Sequence, residues 1–156
     1  MQATRFPRRS FLAISGWLAV AWSKVSGDEV LYVGGTISKL PEATEGRMDI
    51  VNEERLVFSS DKGGFEILYK HIKTLEYGQK AGRRVGVAIV ITVWALFSKK
   101  RKHFLTIGFD DVAGKAQGVV LEIAKGRAKT FIAIIEARSG KKVEYESDEA
   151  KKHVHG

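Results

Sequence analysis

Between Gln79 and Lys102 stand seven cations, Lys80, Arg83, Arg84, Lys99, Lys100, Arg101 and Lys102, with no acid among them. They bracket residues 85–97, a run of Val, Gly, Ala, Ile, Leu, Trp and Phe in which Thr92 is the only polar residue. This pattern suits contact with an anionic lipid surface, where amines meet phosphates while the apolar stretch leaves water. As a helix the run would reach about 20 Å, short of the ~30 Å hydrocarbon core, so a simple span is not expected and a shallow insertion is one open reading. The candidate lipid-binding residues are Arg83, Arg84, Trp94, Lys99, Lys100, Arg101 and Lys102. A competing reading stands beside this one: a β-branched-rich apolar run also makes a buried strand or core helix with solvated cationic ends. A uniformly apolar run has no moment, so helix and strand are not separated here.

Other reactive residue types are present without the spacing that chemistry needs. His71 and His103 stand alone, and His153-Val154-His155 offers two imidazoles in a charged tail, too few for a metal site. Asp110-Asp111 falls where a hairpin turn is expected, and adjacent side chains on a strand point to opposite faces. Ser59-Ser60, Gly34-Gly35 and Gly63-Gly64 match no nucleophile elbow or phosphate loop and read as bends and turns. With no cysteine in the chain, disulfides, thiolate metal sites, a lipoprotein anchor and a cysteine nucleophile are excluded. The expectation is a protein that is not an enzyme and uses no cofactor or metal.

The elements that position these residues follow from bulk properties and local pattern. A chain of 156 residues, 44% hydrophobic and 28% charged with 2 prolines, has room for one folded domain with a single core. The net charge is +8, contributed by Arg5, Arg8 and Arg9 near the start and by the cluster around residues 79–102; elsewhere the sequence is close to neutral. The opening carries positive charge, then an apolar stretch over residues 11–21 ending in Ala19-Val20-Ala21, the order of an export signal. Residues 1–21 are expected to act as a signal peptide, or as an anchor if uncleaved, which places the rest in the periplasm or cell envelope. Arg8-Arg9-Ser10-Phe11-Leu12 resembles the twin-arginine export motif, with Pro7 and Ala13 departing from its usual form.

From residue 28 onward, short runs of period-two alternation separated by turn residues predict six or seven antiparallel strands. They fall at residues 30–36, 46–51, 55–59, 65–70, 72–77, 105–110 and 119–124, with turns at 59–64 and 111–115. Ala128, Phe131, Ile132, Ile134 and Ile135 recur at helical spacing, and Ser139-Gly140 ends that helix. Residues 141–156 read as a charged, frayed tail.

Strands followed by one amphipathic helix predict a mainly β fold, a small barrel or orthogonal sandwich capped by the helix. That order, with Phe-Glu-Ile-Leu-Tyr-Lys-His-Ile-Lys-Thr-Leu at residues 65–75, resembles a bacterial pleckstrin-homology-like domain related to GRAM domains. The resemblance covers about residues 29–140, treats 79–102 as an insertion, and implies binding of anionic lipids or proteins. The sequence departs from the eukaryotic type in lacking a lysine-rich first hairpin loop. Together these readings predict an exported, non-enzymatic binding domain that associates with a membrane surface. The alternative is a structural or protein-interaction module of the envelope, including a homo-oligomer, with the apolar run in its core or interface. Nucleic acid is not expected as a partner, because the basic cluster lacks interleaved aromatics for stacking.

Overall fold

A computed structural model describes residues 29–79, 102–124 and 126–156. The signal expected at 1–21 and nearly all of the basic and apolar segment lie outside these residues.

The described chain forms β1 (Glu29–Gly35), β2 (Thr44–Asp49), β3 (Arg55–Ser60), β4 (Gly63–Leu68), β5 (Ile72–Gly78), β6 (Phe104–Asp110), β7 (Ala116–Ile123), helix α1 (Ala128–Ser139), β8 (Val143–Tyr145) and helix α2 (Asp148–His155). The strands make one curled, half-barrel sheet in the order β4-β3-β2-β1-β7-β6-β5-β8. Two meanders, β1 to β4 and β5 to β7, are joined where β1 pairs antiparallel with β7 (Val30 opposite Ile123, Gly35 opposite Val119). Register shifts between Tyr32 and Gly34 in β1 and between Ile72 and Thr74 in β5 interrupt the ladders. Such irregularities add local twist, which helps a sheet curl.

Alternation puts one face of each strand into a common core. Tyr32, Met48, Leu56, Phe58, Ile67, Leu75, Leu105, Ile107 and Leu121 are all buried there. The rings of Tyr32, Phe58 and Phe65 form its aromatic centre. Helix α1 contributes Ala128, Phe131, Ile132 and Ile135, the i, i+3, i+4, i+7 stripe expected of a core-facing helix. Its other anchor is Arg138, which donates to the carbonyls of Ile50 and Asn52 and to the Tyr69 hydroxyl, and lies 5.5 Å from the Tyr69 ring centroid. The helix ends on Gly140, whose φ of 70° is the left-handed conformation glycine adopts at least cost.

The structure departs from the sequence expectations in three places. First, the described residues form eight strands, and β8 pairs with β5 in parallel (Leu75 opposite Val143, Tyr77 opposite Tyr145), so the sheet is not antiparallel throughout. Three residues are too few for a period-two signal. Second, the expected frayed tail is folded: it forms β8 and α2. Ser147 caps α2 by accepting from the Ala150 amide at 3.2 Å, acids follow at Asp148 and Glu149, and Lys152, His153 and His155 occupy the last turn. That charge order complements the helix dipole, and Ala150 and Val154, four residues apart, supply the buried side. Ser147→Ala should therefore cost about 1 kcal/mol of α2 stability, read as faster amide exchange at Ala150 and its neighbours while β6 and β7 are unaffected.

Third, the middle of the sheet is buried on both faces. Val33, Phe104, Thr106 and Val120 are withdrawn from water although Thr106 and Val120 alternate with core residues. The simple in-and-out pattern expected for β6 and β7 holds only for their core side.

Candidate functional site

The basic and apolar segment is anchored at the end of the β5–β6 ladder. Gly78 pairs with Phe104, so the chain leaves at Gln79 and returns at Lys102 side by side. Of the seven candidate lipid-binding residues only Lys102 lies within the described chain; Arg83, Arg84, Trp94, Lys99, Lys100 and Arg101 lie outside it. Lys102 Nζ is 2.8 Å from Glu122 Oε2 on β7, with both side chains about a quarter exposed. It therefore helps fix the return of the chain onto the sheet, and part of its charge is already matched.

Beside this neck sits a cluster of rings. His103 stacks on His153 of α2 with centroids 4.1 Å apart, and Tyr77 stacks on His103 at 5.7 Å. Tyr77 and His153 share a hydrogen bond, Oη to Nδ1, of 2.9 Å; Tyr145 and His155 share one of 3.0 Å. Glu146 accepts from the Gln79 amide at 2.6 Å, tying the turn before α2 to the last residue before the segment. A side chain at Gly78 would run into the Glu146 carboxylate, which explains the glycine. Burial pushes the Tyr77 hydroxyl up to about 12, helped by Tyr145. His103 is held below its ordinary value, first by burial and then by His153, against the opposing pull of Glu146 and Glu149. Its two ring nitrogens are shielded from water and have no hydrogen-bond partner among the described residues.

Sequence reasoning missed this assembly because its members, Tyr77, His103, Tyr145, Glu146 and His153, are spread over the chain and meet through the β5–β6 ladder and the parallel β5–β8 pairing. The pair His153 and His155, weighed in the sequence as metal ligands, faces two tyrosines, and no group of three metal-ligating side chains occurs among the described residues.

A concavity of about 390 Å³ lies between β4 and the turn end of the β6–β7 hairpin, next to the loop after β1. Thr36, Lys39, Glu66, His71, Asp110 and Gln117 line it. Its charges are largely matched in place: Lys73 pairs with Asp110 at 3.2 Å and Arg55 with Glu66 at 2.7 Å. Asp111 accepts from the Ala113 and Lys115 amides at 2.9 Å each and from Gln117 at 3.2 Å. The Lys115 amide is the main reason its carboxyl is held below the usual range. Asp111 thus builds the turn that its position suggested, Asp110 ends β6 beside Lys73, and the groove is not a concentrated anion cradle.

No protein-family model and no curated protein matches this chain. Among the described residues, no helix is long and apolar enough to cross a membrane.

Proposed function

We propose that this chain is an exported, non-enzymatic binding domain of the pleckstrin-homology-like type that associates with anionic membrane surfaces through residues 83–102. One observation carries the reading. The described residues hold slightly more carboxylates than lysines and arginines, so the chain's +8 resides outside them, and the two cationic ends of the 80–101 segment attach side by side at one end of the sheet. A near-neutral body bearing one localised basic and apolar element has the charge layout of a surface-docking protein. The pleckstrin-homology-like part is supported by two antiparallel meanders joined through β1 and β7, with a helix packed after the last meander strand.

Co-sedimentation with liposomes tests it. The chain from residue 22 onward should pellet with anionic vesicles, less so as salt rises, and not with neutral ones. Folded protein that ignores both kinds of vesicle would overturn the proposal and turn the search toward protein partners. That second reading, a protein-interaction module, is favoured by the open edge of β4, whose backbone has no strand neighbour on its outer side in the described sheet.

A further inference from the structure

We propose that residues 143–156 form an acid-released strap, held over the β5 edge at neutral pH by the stacked rings of His103 and His153. Release would leave β5 as the outer edge of the described sheet.

The strap is joined to the body by Gly140, Lys141 and Lys142, all exposed. It contributes three paired residues to the sheet and a two-turn helix with Ala150 and Val154 buried. At its root, Glu136 accepts from the Val143 amide at 2.8 Å. Its far end is held by rings: His153 lies between Tyr77, through the hydrogen bond, and His103, through the 4.1 Å stack. A second charge on two imidazoles at that separation is repulsive, and a charged His103 would lie where its nitrogens find no acceptor among the described residues.

The titratable and charged groups facing the stack come from every neighbouring described element. They are Tyr77 from β5, Tyr145 from β8, Glu146 from the turn before α2, and Glu149 from α2; the Lys102–Glu122 pair stands at the start of β6. Glu146 and Glu149 favour a charged His103, but burial and His153 outweigh them, so its docked value is depressed. The sign follows. A released strap lets His103 return towards its ordinary value near 6.5, so the released state binds more protons and docking weakens as pH falls below about 6.5. Carboxylates remain ionised over most of that window, which separates this effect from general acid unfolding.

Hydrogen–deuterium exchange on the whole chain, without lipid, tests the strap independently of the membrane proposal. After correction for intrinsic rates, protection of residues 143–155 should fall about tenfold or more between about pH 7.5 and pH 5, while β6 and β7 keep theirs. His103→Phe keeps a stacking ring without a titrating nitrogen, and His153→Gln keeps an acceptor for Tyr77 without a second imidazole. His103→Phe, if it keeps β6 and β7 protected, should retain most of its strap protection at the lower pH, whereas His153→Gln, which leaves His103 buried, should still lose part of its own. Wild-type strap protection that tracks the core down to pH 5 overturns the proposal, and so does a loss as large as wild type in folded His103→Phe.

Discussion

Phe58→Ala should remove about 3–5 kcal/mol of unfolding free energy, a large share of the ~5–15 kcal/mol that holds a domain of this size together. Phe58 is 1% exposed and stacks on Phe65 with centroids 5.1 Å apart and planes 13° from parallel, with Tyr32 6.2 Å away. The backbone around it is shaped to the ring: a Cβ on Gly46 would lie 2.5 Å from Cζ of Phe58, so β2 carries a glycine there. Removing the ring leaves a void that strands on both sides cannot close without breaking the β2–β3 and β3–β4 ladders, whose registers include Met48 opposite Phe58 and Phe58 opposite Phe65. Urea unfolding followed by circular dichroism measures the loss, with Val112→Ala, at a residue 91% exposed, as a control expected within about 0.5 kcal/mol of wild type. A loss below about 1 kcal/mol for Phe58→Ala would mean that the aromatic centre is not where the core stability lies.

The second large effect concerns binding. With Arg83, Arg84, Lys99, Lys100, Arg101 and Lys102 changed to glutamine, partitioning onto anionic vesicles should fall by about 3.5 orders of magnitude. Each cation near such a surface contributes about 1 kcal/mol, and the five other than Lys102 would supply about 5 kcal/mol. Lys102 is left out of that sum because Glu122 already holds it. Changing Lys102 alone should accordingly weaken vesicle binding much less than changing Arg101 alone. Binding that survives the sixfold change would assign the attraction to apolar contact instead.

Much of the fold was readable because its signals are local. The turn at residues 59–64, the alternation in Phe65, Ile67 and in Leu105, Ile107, Phe109, and the helical stripe ending on Ser139-Gly140 are each set by neighbours within a few residues. What escaped is non-local or short. The parallel β8 depends on a partner, β5, lying more than sixty residues away, and its own three residues have no period. Helix α2 was hidden by its charge: Asp148, Glu149, Lys151 and Lys152 gave the stretch the composition of a tail, although Ser147 and the spacing of Ala150 and Val154 mark a capped helix. The ring cluster was illegible for the same reason as β8. Its histidines were visible, but nothing in the sequence sets His103 beside His153. The candidate lipid-binding residues were singled out by composition alone, and Lys102, the one that lies among the described residues, pairs with Glu122.

The join between β1 and β7 has a kinetic consequence. Each meander closes through contacts between successive strands, but the two become one sheet only when residues 30–35 meet residues 119–123. That closure carries the loop entropy of nearly ninety intervening residues and sets a high contact order for the whole chain. Folding should therefore be slow for a domain of this size, in the millisecond-to-second range of non-local β proteins, with β1 to β4 able to assemble on the ribosome well before their partner emerges. Until β7 arrives, β1 presents an unpaired edge, and the growing chain is most exposed to misassociation during that interval.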